Sequence, residues 1–381
     1  MSDRKLARVV RIDSLHPIEG ADRIELAFIG GWQVVVQKGL YKPGDKACYC
    51  EVDSLLPTAY PAFESLTKLS SKLIFEIDGK SYARIKTAKL MKQLSQGFCV
   101  PLSEIGDAAY IAEVGDDLTK KLGILKYEKG EERSMNNAGV ADGVKGKVAK
   151  PFPSFIPKTD QNRVQNIVPR YLQSVETGEL FEKTFKLDGS SMTVWVKDGV
   201  VGVASRNVSF NLQNVRKGFF ESVKDYFKQV KKKGFKKAKF VQYIEPDTNA
   251  FTTMAYNSGV ITALKNSGCN LAIQGELVGP SIQKNFEGVG SNQFYIYDIF
   301  YIDKQEYMLP DERLEFISAY GLRGVPEAGI VTLPATVAEV IEDADGPSGL
   351  NGKYREGFVY KSMTRDFSFK VISNRYLLKE A

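Results

Sequence analysis

The sequence predicts an α+β chain of two domains: a small antiparallel β-barrel, then a larger domain of antiparallel sheets with helices. Three observations carry this. The chain has 381 residues, too many for one ordinary core, since domains commonly hold roughly 100 to 200 residues. Its first third alternates apolar and polar residues in short runs punctuated by Gly and Pro, the pattern of a barrel rather than of helices. A segment rich in Gly, Asn, Lys and Glu, from Lys129 to Lys150, then loses all periodicity and reads as a linker. The expected division is therefore 1–128 for the barrel, 129–150 for the linker and 151–381 for the second domain.

In order along the chain, ARVVRID is strand-like, HPIEGAD is turn-rich, and RIELAFIGGWQVVVQKG predicts a strand pair. A turn at KPGD leads into ACYCEVDSLLP, and KLIFEIDGKSYARIKTAKL offers a hairpin at Asp78-Gly79, because Asp-Gly suits the left-handed backbone of a two-residue turn. An OB-type barrel follows, whose strand face commonly binds nucleic acid; Trp32, Lys38, Arg84, Lys86 and Lys89 are the expected contacts. Beyond the linker, GELFEKTFKLDG, SMTVWVKDG, VVGVASRN, LAIQGELVG, QFYIYDIFYID, REGFVYKSM and FSFKVIS are strand-like, with Asp198-Gly199 as a second hairpin turn. From Phe219 to Val230 the apolar residues Phe219, Phe220, Val223, Phe227 and Val230 recur at helical spacing, with Lys224, Lys228 and Lys231 off that face.

Composition narrows the chemistry. No apolar run approaches the roughly 20 residues that span a bilayer, and the charged N-terminus lacks the features of a secretory signal; a cytoplasmic protein with no membrane role is expected. Four cysteines without a CxxC pair suggest neither disulfides nor a zinc site. A single histidine, His16, removes His-based relays and multi-His metal sites, so any chemistry runs on Lys, Arg and carboxylates. The net charge of +6 is concentrated: Arg216 to Lys239 holds ten Lys or Arg against Glu221 and Asp225. That basic stretch, with Lys231, Lys232 and Lys233 at its centre, suits either contact with RNA phosphates or plain solvation of a helix face.

The chemistry-bearing residues form an ordered series. Lys186-Leu187-Asp188-Gly189-Ser190-Ser191 is weak alone, since a strand end followed by a Gly turn produces it. It is followed by SRN at Ser205 to Asn207, QGELVGPSIQKN at Gln274 to Asn285, FYIYDI at Phe294 to Ile299, REGFVYK at Arg355 to Lys361, and FSFK ending at Lys370. In order and spacing this series resembles the motifs of the covalent nucleotidyl transferase superfamily, over about residues 160 to 372. Within it, QGELVGPSIQKN, FYIYDI and the upstream KTDQNRVQN (Lys158 to Asn166) resemble RNA ligases. With SFKVISNRYLL and a barrel in front, the chain is identified as similar to the Deinococcus-type family-5 ATP-dependent RNA ligases. DNA ligases and capping enzymes carry their OB domain after the catalytic one, and the chain ends eleven residues beyond Lys370, so none is expected there.

The resemblance implies an ATP-grasp-like nucleotidyl transferase domain in which Lys186 takes AMP from ATP, passes it to an RNA 5′-phosphate, and a 3′-OH displaces it. It implies Glu276 on the ribose and on metal-bound water, Glu356 organising Mg2+ or Mn2+, Tyr297 stacking on adenine, and Arg206 at ribose or phosphates. Gly189 would admit close backbone approach beside Leu187, and Lys361 and Lys370 would surround the α-phosphate. A free lysine is protonated at neutral pH, so Lys361, Lys370 and the metal are expected to lower the Lys186 pKa by like-charge repulsion. The expected substrate is a nick in duplex RNA or an RNA/DNA hybrid with a ribonucleotide 3′-OH, gripped by the barrel and sealed by a monomer. In the last motif Ser368 stands where much of the superfamily has a second lysine. Two rival readings remain: a DNA ligase or capping-type nucleotidyl transferase, and an OB-type RNA-binding protein whose catalytic domain is inactive.

Overall fold

The computed structural model describes residues 4–106, 112–127, 150–213, 215–216, 219–233 and 243–379. The N-terminal domain is built from short antiparallel strands. Lys46–Cys50 lies between Ala7–Arg11 and Phe98–Pro101, while Ser14–Pro17, Ile24–Ile29 and Trp32–Gln37 form a meander. A further sheet runs in the order Leu125–Lys126, Ser54–Pro57, Lys80–Arg84, Ile74–Ile77. Strand alternation explains the core, since successive side chains point to opposite faces. Trp32, Val34 and Val36 share one face of their strand and all three are buried in one cluster with Val10, Ile12 and Tyr49. The Asp78-Gly79 hairpin forms as expected, both residues taking positive φ (49° and 73°), and Asp198-Gly199 repeats it (51° and 75°).

The second domain packs two sheets against each other. The larger has the order Lys150–Pro151, Val208–Phe210, Val200–Ser205, Ser190–Lys197, Leu271–Val278, Gln293–Tyr301, Glu306–Tyr307. The smaller has the order Asn162–Arg163, Ser368–Ile372, Gly357–Ser362, Leu180–Lys186, Glu327–Thr332. All pairs are antiparallel except Asn162–Arg163 with Ser368–Ile372, which run parallel. In the larger sheet, Met192, Val194, Leu271, Ile273 and Leu277 form the face that buries Ala255, Val260 and Leu264 of the helices Ala250–Asn257 and Val260–Asn266. By alternation, Ser191, Thr193, Gln274 and Glu276 turn to the opposite face. One side of this sheet is therefore packed on helices, and the other, which Phe152, Phe155 and Ile156 cover in part, carries the polar residues.

Several expectations need correction. Trp32 is fully buried, and its indole N–H donates to Asn166 Oδ1 at 2.8 Å; it is a core and junction residue with no face free to stack on a base. Arg84 is spent on Asp53 (2.8 Å) and lies over the Tyr127 ring at 3.4 Å. Lys38 and Lys89 are exposed and Lys86 is half-buried. The helix Phe219–Lys233 forms over the predicted span, but Phe227 is 55% exposed rather than core. Lys231 is exposed; the Lys232 and Lys233 side chains and residues 234–239 of the basic stretch lie outside the described residues. Linker residues 129–149 also lie outside them, and Lys150, expected to end the linker, pairs with Ser209 in the larger sheet. Among the described residues, no helix is long and apolar enough to cross a membrane, and all four cysteines are free thiols.

Candidate active site

The site forms where the strand Leu180–Lys186 ends beside the polar face of the larger sheet. Lys186 is the last residue of that strand, directly opposite Gly357 in the ladder. Its ammonium donates to Glu356 Oε2 at 2.8 Å. The chain then turns across the larger sheet. Leu187 is buried with Val278, Val289 and Tyr295 and anchors the turn. Asp188 N–H donates to Glu287 Oε1 (2.9 Å) and Gly189 N–H to Glu276 Oε1 (3.0 Å), while the Gln283 amide donates to the Gly189 carbonyl. Gly189 is required by space: a Cβ there would run into the Leu277 carbonyl and lie 2.8 Å from Val278 Cγ1. Glu276 reaches the turn from the next strand, paired with Ser191 across the ladder.

These groups crowd charge into a half-buried place. Burial pushes the Glu276 carboxyl up to about 8, Lys186 opposing and Glu356 and Asp188 reinforcing the shift. Burial likewise raises Glu356 and Glu287. For Lys186 burial disfavours the ammonium, but Glu356 and Glu276 outweigh it and the net direction is upward. This reverses the expectation that neighbouring cations lower its pKa, and the physical reason is the 2.8 Å carboxylate. Lys370, by contrast, is brought down to about 8 by burial and by the nearby charges of Lys186, Arg163 and Arg4, against Asp160.

Lys361 is not at Lys186. Its ammonium is buried and donates to Asp298 and to the Tyr297 carbonyl. It belongs to a closed network in which Arg313 pairs with Glu182 and also donates to the Tyr297 carbonyl at 3.2 Å. The ladder between Leu271–Val278 and Gln293–Tyr301 shifts register here: Gln274 opposes Asp298 and Gly275 opposes Ile296, leaving Tyr297 as the extra residue. A bulge frees its carbonyl from the ladder, and two buried cations take that carbonyl instead. The Tyr297 hydroxyl meets Thr159 Oγ1 (2.9 Å) and Ser191 Oγ (3.1 Å). A small pocket beside it is lined by Phe152, Thr159, Ser191, Thr193, Arg206 and Gln274.

The structure thus gathers Lys186, Glu276, Glu356 and Gly189, with Lys370 close enough to feel the Lys186 charge. Arg206 joins through Asp160, whose Oδ2 it meets at 3.1 Å. Ser368 is opposite Lys361 in the ladder. Residues without a sequence signal are Glu287, two places past the quoted motif, and Asp160 and Thr159, which lay within KTDQNRVQN without an assigned task.

One consequence for stability is testable. Glu276 is protonated in the folded chain below pH about 8 but ionised above about 4.3 when unfolded, so folding stability falls as pH rises between those values. Glu276→Gln keeps the acceptor for Gly189 N–H and removes that slope. In metal-free buffer its melting temperature should exceed that of the native chain by a margin that widens from pH 5 to pH 8. An equal margin at both ends would refute the assignment.

A family model described as RNA ligase matches residues 180–372, and one described as an OB-fold domain matches residues 6–102. Among curated proteins none matches the chain. Among solved structures, the RNA ligase of Naegleria gruberi with PPi is 35% identical, with 98% of each chain covered and a TM-score of 0.80. A point mutant of that ligase with AMP and Mn is 34% identical, with 99% of each chain covered and a TM-score of 0.81. Another with ATP and Mn is 34% identical over 99% of each chain, with a TM-score of 0.80.

Proposed function

The chain belongs to the RNA ligase family, and from that premise we propose that it is an ATP-dependent ligase joining an RNA 3′-OH to a 5′-phosphate through a lysyl-AMP on Lys186. The observation that carries the reading is the placement of Lys186 at a strand end, 2.8 Å from Glu356, with Glu276 bound to the same turn and Lys370 alongside. In the first step Lys186 Nζ gives its proton up, with the Glu356 carboxylate as the nearest acceptor. The free amine attacks the α-phosphorus of ATP; the N–P bond forms and the bond to pyrophosphate breaks. An oxygen of the RNA 5′-phosphate then displaces the lysine from AMP, and the 3′-OH attacks that 5′-phosphate and expels AMP. Lys370 and Arg206 neutralise the phosphate oxygens as charge shifts. Tyr297, fixed through its carbonyl by Lys361 and Arg313, offers its ring to adenine. Lys361 acts on the nucleotide through Tyr297 rather than on the α-phosphate.

The carboxylates fit a divalent ion held through its own waters. Burial raises both Glu276 and Glu356, with the charges of Glu356 and Asp188 adding to the first and that of Asp188 to the second, the crowding a dication relieves, yet no three such groups among the described residues are placed to ligate an ion directly. That suits Mg2+, which dehydrates reluctantly, and the Naegleria ligase is seen with Mn. When bound, the ion would add the positive charge that disfavours the Lys186 ammonium. Glu276 and Glu356 would hold it.

We further read the substrate as a nick in duplex RNA or an RNA/DNA hybrid, sealed by a monomer. The exposed Lys38 and Lys89 of the barrel would grip its phosphates together with Lys231 of the basic helix. The test is sealing of nicked all-RNA, all-DNA and mixed duplexes, alongside labelling with α-labelled ATP or GTP. Label from ATP and sealing only at ribonucleotide 3′-ends are expected. Label from GTP, or equal sealing of all-DNA nicks, would favour a capping enzyme or DNA ligase, and no label with either Mg2+ or Mn2+ would favour an inactive RNA-binding protein.

A further inference from the structure

We propose that the Asp160 carboxylate and the phosphates of ATP compete for one set of cations, so that Asp160 sets the affinity for nucleotide and links it to the contact between the two domains. The inference rests on the reading of Lys370 and Arg206 as phosphate contacts. Asp160 precedes the short strand Asn162–Arg163. Its Oδ1 accepts from Lys370 at 3.3 Å, and its Oδ2 accepts from Arg206 at 3.1 Å and from Lys126 at 3.0 Å.

The three cations come from separate places. Lys370 stands on the strand Ser368–Ile372, Arg206 follows the strand Val200–Ser205, and Lys126 ends the strand Leu125–Lys126 of the N-terminal sheet. One carboxylate with both oxygens committed to Lys and Arg donors does what a pair of phosphate oxygens would do in the same array. Burial opposes its charge, but Lys370, Lys126 and Arg206 hold the carboxyl well below the usual range. It is therefore anionic wherever the enzyme works and cannot release its partners by taking a proton. Only another anion can take them, and a triphosphate brings more charge and more oxygens than one carboxylate.

Two consequences follow. A site partly occupied by its own carboxylate has its affinity for ligand scaled down to the fraction of time that it stands free. And once phosphate holds Lys370 and Arg206, only Lys126 remains of the three cations Asp160 holds here, so the tie from the barrel to the catalytic domain changes when nucleotide arrives. Thr159 would carry the same movement to the Tyr297 hydroxyl, 2.9 Å away.

The experiment uses the full chain with Asp160→Asn and Asp160→Ala, and inorganic tripolyphosphate as the calorimetric probe. Both variants should bind it about three- to thirtyfold more tightly than the native chain, with a lower KM for ATP in Lys186 labelling. The isosteric amide preserves the local backbone, and melting scans give a second reading: tripolyphosphate should raise the Asp160→Asn midpoint more than the native one at equal concentration. Equal or weaker binding by both variants overturns the proposal and makes Asp160 a group that positions the cations for nucleotide. Absence of covalent AMP on the native chain would defeat the functional reading instead, while the tripolyphosphate comparison stands or falls on its own.

Discussion

Lys186→Met is expected to lose covalent AMP completely, with label from α-labelled ATP falling below detection in either Mg2+ or Mn2+. Methionine keeps the length and apolar stem of lysine but has no nucleophilic nitrogen, and neither Lys361 nor Lys370 replaces it. Lys361 is committed to Asp298 and the Tyr297 carbonyl, and Lys370, held by Asp160 here, stands two residues along the ladder from Lys186 and meets the phosphates as a charge. The variant should still fold, because Glu356, left without its partner, is already pushed toward the neutral acid by burial and can take a proton rather than remain a lone buried charge. RNA binding should therefore persist. So should sealing of a nick whose 5′-end already carries AMP, since that last step uses the RNA 3′-OH as its nucleophile. Retained label would remove Lys186 from the mechanism, and loss of RNA binding together with label would point to misfolding.

What could be read in the sequence was the content of each strand and the order of the motifs; what could not was reach. Lys361 and Lys186 lie on the same face of adjacent strands, so their shared motif company invited a shared task. The ladder puts Gly357 opposite Lys186 and Glu182 opposite Lys361, four residues apart, or about 13 Å at the rise of a strand. Lys370 is opposite Val359, itself opposite Thr184, half that distance along. Register decided which lysine serves the nucleophile, and register between distant strands has no signature in a single chain. Trp32 differs, because the clue was present: it shares strand parity with Val34 and Val36, which marks it as core. Glu287 and the Tyr297 bulge were legible only once the strands were paired. The charges that join the domains, Asp53 with Arg163 and Asp160 with Lys126, are brought together by folding from far apart in the chain, and no local pattern announces them.

That junction yields the other large effect. Arg163 is nearly buried between the domains and pairs with Asp53 Oδ2 at 3.3 Å, while Arg84 holds Oδ1 at 2.8 Å. Arg163 and Arg84 hold the Asp53 carboxyl below its usual value against burial. Asp53→Ala strips this anion and leaves a buried guanidinium short of compensation. Breaking a fully buried pair costs about 3–5 kcal/mol, but the Asp53 side chain is 29% exposed, so a loss of about 2 to 3 kcal/mol is the discounted expectation. Because the folded-state pKa is depressed, this stability is present above about pH 3.9 and fades as pH falls through the folded value; the variant and native chain should converge in acid. Arg163→Met in the same chain should recover part of the loss, since it removes the more buried of the two guanidiniums left without Asp53, while Arg84 keeps the Tyr127 ring. A double variant no more stable than Asp53→Ala would show that packing, not charge, was lost. The effect also reaches the active site. Arg163 is opposite Lys370 in the parallel pair and already disfavours its ammonium. Without Asp53 that repulsion is unscreened, so less of Lys370 carries charge at neutral pH. Labelling of Lys186 by ATP should then fall most at pH 8 and recover toward pH 7, and an unchanged pH profile would sever the link between the domain junction and catalysis.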